Sequence, residues 1–581
     1  MKSPQQHLEE RVLAAAGALL PPEAFAAATV KPCADPRHGD FQANVAMIAG
    51  KALGRPPRDV AAELAAALGE DAVAAAPQIA GPGFLNFTLK ESYLDRAVAQ
   101  ARAEGRLGLD PVPAAAARRV VIDYGGPNIA KEMHVGHLRT HVLGAALARI
   151  HRFLGHHVVT DNHLGDWGTQ FGKILSGYKE ALAKDPAGTA AAMAEHPIGF
   201  LEELYQAFTE QAKTDPALDE AARRELAALQ RGDAENLALW RQFVAATRAE
   251  LDKIYARLDI SFDETLGESA YNERLEPMVA ELLSKGIARE SEGATVVFFD
   301  GDAQLEDKPF LIRKSDGAFL YSTTDLATAQ FRAERGVDAM IYVTDGRQQL
   351  HFQQVFATVR RWGILPECAL EHAWFGAILG EDKKPLKTRE GRPIKLRELL
   401  DEAESRALAL ITEKRPELPE ARRREIARVV GLGALKYADL GQNRNLDYVF
   451  NWSKLLSFDG HTAPYLQNAY VRIRSIFRKG EVRPPAPETP VTLAEPAERA
   501  LAKKLLALGE TLRLAAAENR PHFLCIYLYE LATAFHAFYE ACPVLKAEEP
   551  ARTSRLALCD LTAQALALGL ELLGIGVLEE M

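Results

Sequence analysis

Two histidines three residues apart, His134 and His137, enclose Gly136 in the string Pro127-Asn128-Ile129-Ala130-Lys131-Glu132-Met133-His134-Val135-Gly136-His137-Leu138-Arg139. Before the string, Arg119–Tyr124 (RVVIDY) is a β-branched run of the buried-strand kind, and a Gly-Gly-Pro-Asn turn follows it. Behind the string a helical pattern runs from Val135 to Leu154. A helix that begins near His134 puts both imidazoles on one face of its first turn. Free backbone N–H groups and the positive end of the helix dipole favour an anion there. Two imidazoles can donate to phosphate oxygens, and Gly136 lets a flat ring approach the backbone. This suits a nucleoside triphosphate held and polarised at its α-phosphate. A plainer reading, two histidines that cap or fill a helix start, fits an isolated H-x-x-H. The preceding strand and the glycine favour the chemical one.

The elements that must position this string are those of a nucleotide-binding sheet. His157–Thr160 is a second strand candidate, which completes the strand–loop–helix–strand unit of a parallel α/β fold. Strand signals return at Thr295–Phe299, Ala339–Thr344 and Ala373–Leu379. They predict one doubly wound sheet interrupted by a charged helical insertion over about 172–283. Residues 1–112 read as a small α+β domain, with a helix at Ala61–Leu68 and strand-like Asp40–Met47 and Phe84–Leu89. Gly105–Ala117 reads as a linker. From Leu396 onward the pattern is helical apart from a Pro-rich loop at Pro484–Pro490.

Composition narrows the function classes. The chain has 581 residues, enough for several domains and too many for a lone binding module. Its 69 Lys+Arg against 79 Asp+Glu give a net charge of −10, which argues against an indiscriminate polyanion binder but leaves room for a local basic patch. Five scattered cysteines (Cys33, Cys368, Cys525, Cys542 and Cys559) form no Cys-x-x-Cys pair, so no zinc ribbon is expected and reduced thiols in a cytoplasmic compartment are. Met1–Arg11 has no apolar signal core. Leu561–Leu578 carries Gln564 and Glu571 and reads as a buried helix, so no membrane association is expected.

His134-Val135-Gly136-His137 resembles the HIGH signature of class I aminoacyl-tRNA synthetases, and Gly126–Arg139 as a whole resembles the arginyl-tRNA synthetases. So do Asp35–Met47 (DPRHGDFQANVAM), Asn162–Gly172 (NHLGDWGTQFG), Asp345–His351 (DGRQQLH), Lys436–Asn445 (KYADLGQNRN) and His461–Arg474 (HTAPYLQNAYVRIR). The likeness spans essentially the whole chain. It implies that arginine and ATP, with Mg2+, form arginyl-adenylate and pyrophosphate, and that the arginyl group then passes to the terminal adenosine of its tRNA. No covalent enzyme intermediate is needed. Positioning and charge stabilisation at the α-phosphate would carry the rate.

The second class I signature, KMSKS, has a divergent counterpart in Gly380–Arg389 (GEDKKPLKTR). Many arginyl-tRNA synthetases share this divergence and carry a lysine before the HIGH string, here Lys131. The resemblance implies catalytic roles for His134, His137, Lys131, Lys384 and Lys387, and ATP contacts at His134, Gly136, His137, Lys387, Thr388 and Arg389. The loop residues read equally well as a charged surface turn. For arginine it implies Asp123, Asn128, Tyr321, Asp325 and Gln348. A guanidinium is a planar fork of donors that carboxylates match in pairs, which suits Asp123 and Asp325. Tyr321 and Asp325 are four apart and share a helix face. Asp325 also reads as an acidic residue at a helix start. Asp166-Trp167-Gly168 reads as structural.

Contacts to tRNA are expected from patches. Tyr465–Arg483 holds five basic residues and one acid, with Leu466, Tyr470, Ile473 and Phe477 on a packed face. Such a run is commonly a solvated face. The family's C-terminal helical domain reads the anticodon, which points to Arg472, Arg474 and Arg478. The N-terminal domain resembles the family's tRNA-elbow module, which points to Phe41, a residue that also reads as core. The implied domains are 1–112 (N-terminal tRNA-binding), 113–395 (catalytic, with the insertion and a KMSKS-like loop at 380–391), 396–450 (connecting helices) and 451–581 (anticodon-binding), in a monomer. Two competing classes are a small-molecule adenylate-forming enzyme, which would need neither RNA module, and an inactive RNA-binding paralogue, which would not need His134, Gly136, His137 and Asp325.

Overall fold

A computed structural model describes residues 2–387 and 392–581. Its centre is a four-stranded parallel sheet of β1 (Arg119–Tyr124), β2 (His157–Asp161), β3 (Ala339–Val343) and β4 (Ala369–His372), in the spatial order β4–β3–β1–β2. β1 is buried along nearly its whole length, as expected of a strand covered on both faces. Three helices belong to this sheet: α1 (Gly136–Phe153), α2 (Tyr321–Glu334) and α3 (Gln349–Trp362). Chain order leaves β1 towards β2 on one side and returns to β3 on the other. The crevice at the C-terminal ends of β1 and β3 is therefore the switch point where open α/β sheets bind ligands. Register places Asp123 opposite both Asp161 of β2 and Tyr342 of β3.

Helix α1 lies hard against β1. A Cβ on Gly144 would stand 2.1 Å from the Tyr124 ring, so the close approach admits only glycine. Helices from Thr169 to Arg257 follow β2 and form the insertion. Two strand expectations are corrected. Ala294–Val297 does not join the parallel sheet; it is the middle strand of a separate antiparallel trio with Ala288–Ser291 and Phe310–Arg313. The strand expected at Ala373–Leu379 ends at His372, and Ile378–Leu379 instead pairs with Tyr448–Val449. Apolar run length cannot distinguish sheets, because pairing is chosen by distant partners.

The N-terminal residues form a four-stranded antiparallel sheet with helices at Pro4–Leu19, Val45–Leu53 and Pro57–Leu68. This domain docks on the C-terminal one. Arg102 donates to the carbonyls of Pro485, Ala486 and Thr489 at 2.9–3.0 Å, and Lys503 meets Asp40 at 2.5 Å. The Pro-rich loop is thus clamped rather than free. The C-terminal part is helical, including α4 (Glu420–Leu440), α5 (Ala463–Gly480) and α6 (His522–Ala541). Among the described residues no helix is long and apolar enough to cross a membrane.

Gly144→Ala should lower the urea midpoint of the catalytic domain by the equivalent of about 1–3 kcal/mol, the usual penalty for overpacking a filled interface. An unchanged midpoint would mean that α1 can move off β1 freely.

Candidate active site

The two signature histidines are held by the backbone in front of α1. His134 Nδ1 accepts the Gly136 N–H at 3.1 Å, and His137 Nδ1 accepts the His134 N–H at 3.1 Å. A ring nitrogen that accepts carries no proton, which assigns the proton of each neutral ring to Nε2. The rings sit 4.1 Å apart between centroids. Burial is the largest cause that lowers both pKa values, His137 to about 3; Lys131 and Arg347 push His134 down further. Both rings are therefore neutral donors at pH 7. A Cβ on Gly136 would meet the His134 ring at 2.9 Å and displace it. One turn on, His141 Nδ1 donates to the His137 carbonyl at 2.6 Å, and burial drives its pKa to about 4.

Lys131 is exposed and follows Ala130, a buried residue at φ +60° whose N–H donates to Thr247 Oγ1 at 3.2 Å. A left-handed alanine costs roughly 1–3 kcal/mol, strain of the kind stored at functional turns. The exit of the KMSKS-like loop is zipped to the same segment: Val135 N–H donates to the Ile394 carbonyl at 2.9 Å, Leu396 N–H to the Met133 carbonyl at 2.8 Å, and Lys395 pairs with Glu132 at 2.6 Å. Lys384 and Lys387 line an adjacent open cleft of about 890 Å3 with Arg406, Asn451 and Trp452. Neither lysine bonds to the histidines among the described residues. Thr388 and Arg389 lie outside the described residues.

Across the crevice the site turns acidic. Asp325, at the start of the second turn of α2, accepts from His351 Nε2 at 2.6 Å, and the Tyr321 ring lies 4.9 Å from that of His351. Asp123 Oδ2 meets Arg332 Nη2 at 2.6 Å, and the same nitrogen meets Asp161 at 2.8 Å. The guanidinium expected beside Asp123 is thus first of all an internal one, from α2. Asn128 and Gln348 are exposed. Glu268, His351, Arg332 and Asp161 were not singled out from the sequence. Glu268 is pushed up to about 7, chiefly by burial, with Asp325 and Asp166 adding. Asp166 has a positioning part: it accepts the Ser269 N–H at 2.8 Å and the Ser269 hydroxyl at 2.7 Å, which fixes the turn that carries Glu268. Asp166 and Ser269 are 103 residues apart, on either side of the insertion, so local sequence carries no sign of this link.

One group of metal-ligating side chains occurs among the described residues: Asp123, Asp161 and His163. Arg332 sits on two of the three, so the group is an ion-pair network and does not fit a divalent cation.

A second surface lies on the C-terminal helices. Arg472, exposed on α5, stands 5.1 Å from the Tyr539 ring centroid, while Tyr529 stacks on His461 at 3.6 Å and Tyr465 bonds His536 at 3.1 Å. Arg474 is engaged by Glu579 at 3.1 Å, and Arg478 by Glu580 at 3.4 Å. Phe41 is half-buried in the seam between the N- and C-terminal domains.

Residues 99–452 match the catalytic-domain model of class I tRNA synthetases (R), and 466–581 match the DALR anticodon binding domain. The sheet, the histidine string and these domains define a class I aminoacyl-tRNA synthetase. Residues 6–89 match the arginyl tRNA synthetase N terminal domain. The chain is 45% identical to an arginine–tRNA ligase of Chromobacterium violaceum, over 99% of both chains, and 46% identical to one of Cellvibrio japonicus at the same coverage. Its fold is similar to that of the arginyl-tRNA synthetases of Plasmodium falciparum (TM-score 0.85, 26% identity, 100% of both chains) and Thermus thermophilus (TM-score 0.81, 28% identity, 99% and 100%). The chain belongs to the arginyl-tRNA synthetase family.

The buried histidines predict a pH effect on stability. His141 titrates near 6.5 when unfolded and near 4 when folded. Between those values the unfolded chain holds the extra proton, so stability falls as pH drops from 6.5 towards 4, by up to about 1.4 kcal/mol per pH unit for one such group. His141→Gln should lose less of its urea midpoint between pH 6.5 and 4.5 than the wild type does. An equal loss would contradict a neutral, buried His141.

Proposed function

We infer that this chain is an arginine–tRNA ligase that forms arginyl-adenylate from arginine and ATP, releases pyrophosphate, and transfers the arginyl group to tRNA with release of AMP. The observation that carries this reading is the pairing, at one end of the sheet, of two neutral imidazole donors with a cluster of partly buried carboxylates. The donors suit phosphate oxygens; the acids suit a guanidinium. In this reading His134 and His137 donate Nε2–H to ATP, Gly136 admits the adenine ring, and Lys131 supplies charge at the α-phosphate. Lys384, Lys387, Thr388 and Arg389 act on the pyrophosphate side when the loop closes. Mg2+ enters with ATP as part of the substrate.

Asp325, with Glu268 beside it, takes the guanidinium, and Asp123 offers the carboxylate oxygen that Arg332 leaves. Tyr321 closes over it, and Asn128 and Gln348 take the α-amino and carboxylate ends. A competing amino acid would offer no partner to the oxygens that His351 and Arg332 leave on Asp325 and Asp123, a basis for rejection. Arg472 and its aromatic neighbours suit an unstacked base and its phosphate, with Arg474 and Arg478 following once their acids let go. Phe41 contributes at the tRNA elbow. The domains divide at 1–112, 113–395, 396–450 and 451–581. The protein acts as a cytoplasmic monomer, a compartment that its five free cysteines suit.

ATP–pyrophosphate exchange across the amino acids, with and without tRNA, tests the reading. Exchange is expected with arginine alone and only with tRNA present. Robust exchange with another amino acid would sink the specificity, and none at all would favour an inactive RNA-binding paralogue. Asp325→Ala should raise the KM for arginine at least tenfold more than that for ATP. Lys131→Ala should slow adenylation more than tenfold; a rate within severalfold of wild type would remove Lys131 from the mechanism. Glu268 gains its charge as pH rises through about 7, so the KM for arginine should fall between pH 6 and 8. Glu268→Gln should abolish that dependence, and a variant that keeps it would exclude Glu268 from the pocket.

A further inference from the structure

The string Lys436–Asn445 does none of the chemistry above, yet Lys436, Tyr437, Asp439 and Arg444 are all buried. It ends α4 and reaches in two directions. Towards the C-terminal domain, Lys436 donates to the Gly574 carbonyl, Tyr437 to the Cys525 carbonyl at 3.0 Å and Arg444 to the Asn519 carbonyl at 2.8 Å. Towards the catalytic sheet, Arg444 donates to the Trp374 carbonyl at 2.6 Å. Asp439 meets Arg139 Nε at 3.2 Å, with both side chains almost wholly out of solvent.

Arg139 is two residues after His137 in the first turn of α1. Its Nη1 donates to the Gly376 and Leu446 carbonyls at 2.7 and 3.2 Å, and its guanidinium lies 5.5 and 5.2 Å from the Phe375 and Tyr448 ring centroids. Tyr448 donates its hydroxyl to Asp439 at 3.3 Å. A rigid fork with this many acceptors has one way to fit. Stability alone does not require such a pair, since well-packed apolar residues can replace buried ion pairs without loss; fixing one arrangement is the use that remains.

We propose that Asp439 is a positioning residue for the adenylation step: by holding Arg139 it sets the first turn of α1, with the His137 donor on it and the His134 donor just before it, at a fixed distance from the C-terminal domain that the same string grips. The proposal rests on the reading of those histidines as phosphate donors. It assigns a role to a contact between residues 300 apart in sequence, outside both signature motifs.

Asp439→Asn keeps the shape and removes the charge. Its kcat in arginine-dependent exchange should fall at least tenfold, while the KM values for ATP and arginine and the Kd for tRNA stay within threefold and the near-UV circular dichroism at 25 °C stays native. That split separates positioning from plain destabilisation, which would move the melting midpoint and leave kcat at 25 °C intact. Arg139→Lys, which keeps the charge but not the fork, should lose less than the asparagine variant. A folded Asp439→Asn with kcat within threefold of wild type would overturn the proposal, as would loss of tRNA affinity in step with kcat. If Asp439→Asn does not fold, Arg139→Lys and Tyr448→Phe take its place, and an unchanged kcat in both overturns it equally. A wild type without arginine-dependent exchange would instead overturn the functional reading.

Discussion

A single buried guanidinium holds the crevice together. Arg332 is almost wholly out of solvent, and its Nη2 sits between Asp123 at the end of β1 and Asp161 at the end of β2. Burial alone would disfavour its charge, but the field of Asp123, with Asp161 adding to it, outweighs that and keeps its pKa well above the usual arginine value. Breaking such a pair by removing one partner leaves an uncompensated charge in the interior, at a cost of about 3–5 kcal/mol. The two strand ends and α2 are therefore fixed as a unit. Because Tyr321 and Asp325 sit on the first turns of α2, the acidic wall inherits its place from this clamp.

With the frame fixed, the site separates by sign. On the histidine side the rings are kept neutral by burial, and positive charge comes from Lys131 and Arg347 nearby. On the other side burial pushes the pKa of Glu268 up to about 7, with the Asp325 and Asp166 carboxylates adding to it, so Glu268 is only partly charged at neutral pH. Under the proposed reading a neutral side chain gains little beside these acids, whereas a guanidinium favours the charged form of Glu268.

The parts legible in the sequence were those encoded locally. The β-branched run at 119–124, a helix start within a residue of the expected Val135 and the Tyr321–Asp325 helix spacing each follow from periodicity and turn chemistry, and the family's motifs named the rest of the reading. What stayed hidden depends on distant pairing. Arg332 reads as one more arginine on a polar helix until Asp123 and Asp161, 209 and 171 residues away, are brought to it. Glu268 looks like a solvated acid until Asp166 pins the next residue. Ala294–Val297 has the composition of a central strand, and only its antiparallel partners remove it from the parallel sheet.

The negative net charge bears on RNA binding in the same way, through placement rather than totals. The basic face of α5 is not bare: Glu579 and Glu580, from the end of the chain, meet Arg474 and Arg478 in half-exposed pairs. Exposed pairs of this kind are worth little, of the order of 1 kcal/mol or less. A backbone phosphate can therefore replace either acid at small cost, while salt and stray polyanions gain only that small margin. Arg472, set against Tyr539 instead of a carboxylate, needs no such exchange. Under the proposed reading, an acidic protein that keeps its arginines lightly masked favours an RNA that also fits the aromatic surface between α5 and α6 over charge alone.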